Sequence, residues 1–232
     1  MRLLLTRPEP DGARSAARLR ALGHEVILAP LMRIEPVAAD IEGPFAAALI
    51  TSANAARAAV AHPRSGELKM LPLFAVGDRS AEAARAAGFA DVVSAEGALG
   101  DLVRLAASRF GRGARLLYFA GEDRAGDLAG ELAAHGLSVS TAVIYRAAAA
   151  GALGNDVVQA LGAGRIDAAL HYSRRSVVTL LRLAGEAGVL NAVLSLAHYC
   201  LSDEVAAPLR EAGGGRITVA LHPDEAALID LF

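Results

Sequence analysis

Phe45-Ala46-Ala47-Ala48-Leu49-Ile50-Thr51-Ser52 is followed by Leu73-Phe74-Ala75-Val76-Gly77 and by a helical stretch that ends at Gly88. The same plan returns late in the chain. Ile166-Asp167-Ala168-Ala169-Leu170-His171-Tyr172-Ser173 is followed by Leu196-Ala197-His198-Tyr199-Cys200-Leu201-Ser202 and by a helical stretch that ends at Gly213. Gly77 and Gly88 lie 11 positions apart, and so do Ser202 and Gly213. Both apolar runs are continuous rather than alternating, the mark of a strand buried on two faces, as in a parallel sheet covered by helices. A repeat of this kind predicts two similar α/β units.

Working outward, a second pair of segments matches. Leu3–Thr6, a helix, Gly23 and Val26 resemble Leu116–Ala120, a helix, Gly136 and Val139. Strands are expected at 2–6, 25–29, 46–51, 72–76, 91–94, 115–120, 138–146, 166–172, 193–200 and 216–221. Most are separated by stretches with apolar residues at helical spacing, such as Ala13, Ala16, Ala17 and Leu19, or Ala81, Ala84 and Ala87. Strand–helix alternation of this type gives parallel sheets with helices on both faces. The order of pieces, A-B-A′-B′, leaves two assemblies open. Either each half folds as a continuous domain, or one domain is inserted in the other. Leu31–Asp40 and Ile144–Gly151 read as crossings between domains.

Composition narrows the function classes. The 232 residues are 54% hydrophobic, with 23 Lys and Arg against 25 Asp and Glu. That balance lacks the basic excess of a nucleic-acid binder. No apolar run approaches the roughly 20 residues of a membrane span. The N-terminal apolar run is too short for a signal-peptide core, and a single cysteine, Cys200, suits a reducing cytoplasm. His171 and His198 lack a third ligand in register, so no metal site is expected. No Gly-x-Ser-x-Gly elbow surrounds a serine, and Gly111–Arg115 precedes a strand, so neither a hydrolase nor a dinucleotide fingerprint is present.

The loops that follow the strands carry small hydroxyls, glycines and arginines. They are Thr6-Arg7-Pro8, Ser52-Ala53-Asn54, Gly77-Asp78-Arg79-Ser80, Gly121-Glu122-Asp123-Arg124, Ser173-Arg174-Arg175-Ser176 and Ser202. In a parallel α/β sheet, ligands bind at these carboxyl ends of strands. Helix N-termini there favour anions, and arginine clamps carboxylates. Thr6, Arg7, Ser52, Ala53, Asn54, Gly77, Arg79, Ser80, Gly121, Ser173, Arg174 and Ser202 are therefore the candidate substrate-binding residues. Ser52, Asn54, Ser80, Ser173 and Ser202 are also ordinary helix N-caps, which for each alone is explanation enough.

Leu5-Thr6-Arg7-Pro8, Leu22-Gly23-His24-Glu25-Val26, Pro30-Leu31-Met32-Arg33-Ile34, Ile50-Thr51-Ser52-Ala53-Asn54, Ala75-Val76-Gly77 with Ser80-Ala81, and Val143-Ile144-Tyr145-Arg146 occur in order across nearly the whole chain. Together they resemble the uroporphyrinogen-III synthase family. The resemblance implies a discontinuous first domain (1–33 plus 149–232), an inserted second domain (38–145) and two linker strands (34–37 and 146–148). It also implies a substrate cleft between the domains, no cofactor, and conversion of hydroxymethylbilane to uroporphyrinogen III. By the same resemblance Tyr145 is the catalytic acid that assists loss of the terminal hydroxyl. A monomer without nucleic-acid or membrane partners is expected. The sequence departs from the family pattern where Ser202-Asp203-Glu204 replaces a second Gly-x-Thr element, and Ser80 stands where threonine is usual. Two other readings use the same strand-end donors: a non-catalytic two-domain binding protein for a small anion, and a sugar-nucleotide-type transferase. The latter needs acidic residues at a strand end, for which Glu122 and Asp123 are the close pair considered.

Overall fold

The computed structural model describes residues 1–95, 97–124 and 126–232. The elements are β1 (Arg2–Leu5), α1 (Asp11–Ala21), β2 (Glu25–Leu28), β3 (Met32–Pro36), β4 (Ala47–Ile50), α2 (Ala53–Ala59), α3 (Ser65–Leu68), β5 (Leu73–Ala75) and α4 (Asp78–Ala86). They continue with β6 (Val92–Ser94), α5 (Leu99–Arg109), β7 (Arg115–Gly121), α6 (Leu128–Ala134), β8 (Ser138–Ala149), α7 (Asn155–Gly162), β9 (Ala168–His171) and α8 (Arg174–Glu186). The chain ends with α9 (Leu190–Leu194), β10 (Ala197–Cys200), α10 (Asp203–Glu211), β11 (Arg216–Val219) and α11 (Glu225–Ile229). It divides into two compact units, Met1–Arg33 with Ala148–Phe232, and Ile34–Ala147.

Unit 1 holds a five-stranded sheet in the order β11-β10-β9-β1-β2, with every neighbouring pair parallel. Leu3 and Leu5 point to one face, where Ala16 and Leu19 of α1 and Ile229 of α11 cover them. Leu4 and Ala169 point to the other face, against α7 and α8. Burial on both faces explains why these strands read as unbroken apolar runs.

Unit 2 holds a six-stranded sheet in the order β3-β8-β7-β4-β5-β6. Ala48, Ile50, Leu117 and Phe119 face the alanines of α2 and α4. Ala47, Leu49, Leu116 and Tyr118 face α5 and α6. The alanine-rich α2 lets that helix lie close to the sheet. The matched helices α4 and α10 are each followed by a glycine at positive φ, 90° at Gly88 and 88° at Gly213. That conformation strains a side chain, and it ends both helices.

All ten expected strands exist, and the α/β class with parallel sheets covered on both faces is the one observed. The differences are of detail. Within Leu31–Asp40, read as a crossing and by resemblance as holding a linker strand at 34–37, the strand β3 spans Met32–Pro36 and lies beside β8. Its mixed sequence, Met-Arg-Ile-Glu-Pro, lacks the apolar run of a central strand, because an edge strand needs none. Residues 193–196, read as the start of a strand, instead complete α9 and its turn, and β10 begins at Ala197. Among the described residues no helix is long and apolar enough to cross a membrane.

Candidate functional site

Each sheet has one place where the winding of the chain reverses. In unit 2 it lies between β4 and β7: α2 follows β4 on one face of the sheet, and α6 follows β7 on the other. In unit 1 it lies between β1 and β9, whose helices α1 and α8 likewise take opposite faces. Crevices at the carboxyl ends of such strands are where open α/β sheets bind ligands.

The unit 2 crevice brings together Ser52, Ala53, Asn54, Gly121 and Tyr145. Ser52 is extended, at φ −149°, and its hydroxyl accepts a hydrogen bond from the Asn54 N–H at 3.1 Å, capping α2. Asn54 Oδ1 accepts from Arg57 at 3.0 Å. Thr51 and Tyr118, which the sequence reading did not single out, join hydroxyls at 2.8 Å across β4 and β7. Tyr145 lies on β8, half-buried, and its carbonyl accepts from the Glu122 N–H at 2.9 Å. Burial raises the Tyr145 phenol above the usual tyrosine value of 10.0. A hydrogen bond with the Ser52 side chain pulls it partly back, while Tyr118 and Asp123 push it further up. The phenol therefore keeps its proton throughout the neutral range.

The position of that phenol depends on two features of the strands. The β7–β8 register runs regularly to Ala120–Val143 and then jumps to Gly121–Tyr145, so Ile144 is an extra residue in β8. A strand alternates faces, and Ala142 and Ile144 both point toward α2 and α4. The bulge keeps Tyr145 on that same face instead of sending it to the other. There the ring end lies over Gly121. A Cβ at Gly121 would stand 2.6 Å from Tyr145 Cζ and 2.8 Å from its hydroxyl oxygen.

One strand further out, Gly77 begins α4 in extended conformation, Arg79 is exposed and Ser80 is buried.

In unit 1, Thr6, Arg7, Ser173 and Arg174 meet at the ends of β1 and β9, with Ser202 beyond them at the end of β10. The Thr6 hydroxyl is buried and makes no hydrogen bond among the described residues. Arg7 is engaged within the chain. Its Nη1 donates to Glu225 at 2.7 Å and to Ser15 Oγ at 2.8 Å, Asp11 lies at 3.9 Å, and its guanidinium stacks 4.3 Å above the Tyr172 ring. The same Glu225 carboxylate accepts from Ser15 Oγ, from Tyr172 at 3.4 Å, and pairs with Arg18 at 3.3 Å. Glu225 had no signal in the sequence, since 218 positions separate it from Arg7. Ser173 and Ser202 cap α8 and α10, accepting from Ser176 N at 3.2 Å and Val205 N at 3.4 Å. Arg174 is exposed.

His171 and His198 are fully buried and share one hydrogen bond, Nε2 to Nδ1, at 3.0 Å. Burial lowers His171 to about 3, with His198 adding to the effect. Burial likewise lowers His198 to about 4, against an upward pull from the Val193 carbonyl. Both are neutral core groups at pH 7. Burial also pushes the Cys200 thiol up to about 12, so it is not a nucleophile. No group of three potential metal ligands exists among the described residues.

The family model for uroporphyrinogen-III synthase HemD matches residues 13–230. By sequence, no curated protein matches the chain. Among solved structures, the chain is similar to uroporphyrinogen-III synthetase from Helicobacter pylori, at 17% identity and a TM-score of 0.68, over 100% of this chain and 98% of that one. It also aligns with a mutant uroporphyrinogen III synthase from Thermus thermophilus, at 18% identity and a TM-score of 0.49, over 100% and 95% of the two chains. The first of these likenesses supports the α/β fold described above.

Proposed function

Because the chain belongs to the uroporphyrinogen-III synthase family, we propose that Tyr145 supplies the proton for the family's reaction. That reaction is a lyase step of tetrapyrrole (haem) biosynthesis: hydroxymethylbilane closes to uroporphyrinogen III with loss of water. The terminal C–O bond breaks, driven by electron donation from the pyrrole nitrogen, and Tyr145 protonates the departing oxygen to give water. This leaves an azafulvene cation. The last pyrrole attacks it through its already substituted carbon, giving a spiro intermediate that fragments and recloses with that ring inverted. The proton lost as the ring regains aromaticity restores the phenol, so protons balance over the cycle.

The observation that carries the assignment is the end of the Tyr145 ring lying over Gly121 at the unit 2 crevice, a phenol that burial keeps protonated. The Ser52 oxygen accepts the Asn54 N–H, so its own proton is free to point at the phenol oxygen. Tyr145 can then direct its proton to a leaving group. An acid placed this way contributes about 10²–10⁴-fold. The substrate carries eight carboxylates. Exposed Arg79 and Arg174, the N–H groups at the starts of α4, α8 and α10, and the small residues Ser52, Ala53, Asn54, Gly77, Ser80, Ser173 and Ser202 are the donors and close-approach positions we assign to it. The Thr6 hydroxyl, buried and without a hydrogen-bond partner among the described residues, is placed with them. Arg7 serves them indirectly, by holding the β1 end against Glu225. A monomer in a reducing cytoplasm suits a chain with one cysteine, itself buried.

The test is isomer analysis. Freshly generated hydroxymethylbilane is mixed with the protein, and the oxidised porphyrins are separated. The expected product is type III, and Tyr145→Phe slows its formation about 100-fold. Type I alone, at the uncatalysed rate from folded protein, overturns the reading and favours a binding protein.

A further inference from the structure

We propose that Gly121 is a positioning residue for Tyr145: its missing side chain is the seat in which the phenol lies, and the bulge at Ile144–Tyr145 delivers the phenol to that seat. The inference rests on the reading of Tyr145 as the acid.

Three observations carry it. First, backbone conformation does not require glycine here. Gly121 is not among the residues at positive φ, and it ends a strand whose other positions all carry side chains. Second, the space does require it. A Cβ would approach Tyr145 Cζ at 2.6 Å, the phenol oxygen at 2.8 Å and Cε2 at 3.0 Å, and these three nearest atoms all belong to Tyr145. Carbon atoms in van der Waals contact stand about 3.5–4.0 Å apart, so the ring end must move by the order of an ångström. It is the movable end of a side chain, so the fold yields there before the backbone does. Third, the register jump from Ala120–Val143 to Gly121–Tyr145 puts two successive residues, Ile144 and Tyr145, on one face. Ile144 is buried and fills the core beneath α2, while Tyr145 remains half-buried above it. An unbulged strand would give one of these positions to the opposite face. Bulge and glycine therefore act on the same side chain, and together they fix where its hydroxyl stands.

A displacement of this size at a reacting group costs up to about 100-fold in rate. The test compares wild type, Gly121→Ala, Tyr145→Phe and the double variant in initial-rate assays with hydroxymethylbilane. Gly121→Ala is expected to lower kcat about 10- to 100-fold with KM within about twofold. In the Tyr145→Phe background the same alanine is expected to change kcat by less than about twofold, since the group it displaces no longer transfers a proton. Full multiplication of the two losses, or an unchanged kcat in Gly121→Ala, overturns the inference. A Tyr145→Phe enzyme as fast as wild type sinks the assignment of Tyr145 itself, and is thereby distinguished from failure of the seat. A second arm reads the seat without activity. Gly121→Ala lowers the melting temperature beside Tyr145 but not in a Tyr145→Ala background, where the cavity accepts the methyl group. An equal loss in both backgrounds overturns the seat.

Discussion

At the crevice of unit 1 opposite charges meet one another; at the crevice of unit 2 neutral hydroxyls do. Arg7 lies between the Glu225 carboxylate and the Tyr172 ring, with only 11% of its side chain exposed. The matching place in unit 2 holds Thr51, Tyr118, Ser52 and Tyr145. The repeated sequence supplies what the two share: a buried parallel strand, then a serine that caps the next helix, Ser52 in one unit and Ser173 in the other. It does not supply what makes them differ. Tyr145 comes from β8 and Glu225 from α11, and neither lies in the matched segments. The duplicated plan builds two crevices, and their chemistry is set by the positions at which the matched segments differ, Thr51 and Tyr118 in one unit and Tyr172 in the other, together with Tyr145 and Glu225 from outside them.

The sharpest way to break the contrast is to remove one partner from each crevice. Glu225→Ala leaves Arg7 largely buried with Asp11, at 3.9 Å, as the remaining carboxylate paired with it among the described residues. Losing the partner of a desolvated charge costs about 2–4 kcal/mol. Thr51→Val removes one neutral hydrogen bond to Tyr118 and should cost about 1 kcal/mol. Urea unfolding of the two variants measures both. Equal losses would show that the network around Glu225 is no stronger than a hydroxyl pair.

A second contrast concerns acid. Unit 1 holds His171 and His198 between β9 and β10, buried, hydrogen-bonded to each other and held neutral. Arg216 faces His198 and adds to the penalty for charging it. Both folded values lie below the ordinary 6.5, so the unfolded chain binds protons that the folded unit refuses. Stability from this source is complete above pH 6.5 and is lost as pH falls toward about 4 and then about 3. At pH 5.5 the loss is about 1 kcal/mol for each histidine. Once the slower intrinsic exchange at lower pH is divided out, the protection of amides in β9 and β10 should therefore fall between pH 7 and 5.5. The fall should shrink in a His171→Leu/His198→Leu variant; an unchanged pH dependence there would show that other groups set acid stability.

Legibility in the sequence followed burial. Strands covered on both faces announce themselves, because every position is apolar: Leu3–Leu5, Ala47–Ile50 and Leu116–Ala120 needed no tertiary information. β3 did not, since an edge strand carries Arg33 and Glu35 as readily as a loop would. The strand-end serines were legible as caps, and so as residues near the crevices. Tyr145 was legible only through family resemblance, because a lone strand tyrosine has no local signature. Glu225 and the Thr51–Tyr118 pair were invisible, since each depends on which strand ends or helix starts lie side by side. The bulge at Ile144 is written in register, not in residue type, and Gly121, legible as a strand-end residue, carried no sign that Tyr145 lies over it.

The smallest expected effect separates two serines with one shared duty. Ser52 and Ser173 both lie in extended conformation ahead of a helix, and each accepts a backbone N–H, at 3.1 Å and 3.2 Å. Replacing either by alanine removes a cap and should cost about 1 kcal/mol. Only Ser52 also hydrogen-bonds Tyr145, and that bond lowers a phenol which burial has raised. An acid catalyst works in its protonated form, so the rate should fall on the alkaline side as pH rises through the Tyr145 value, which lies above 10.0. Without the Ser52 hydroxyl the phenoxide loses a donor and the phenol holds its proton more tightly. The alkaline limb of kcat should therefore move to higher pH in Ser52→Ala and stay in place in Ser173→Ala, although both lose similar stability. The profiles are measured at temperatures where both variants remain folded. A shift in both, or in neither, would mean that the serine of unit 2 does no more than its counterpart in unit 1.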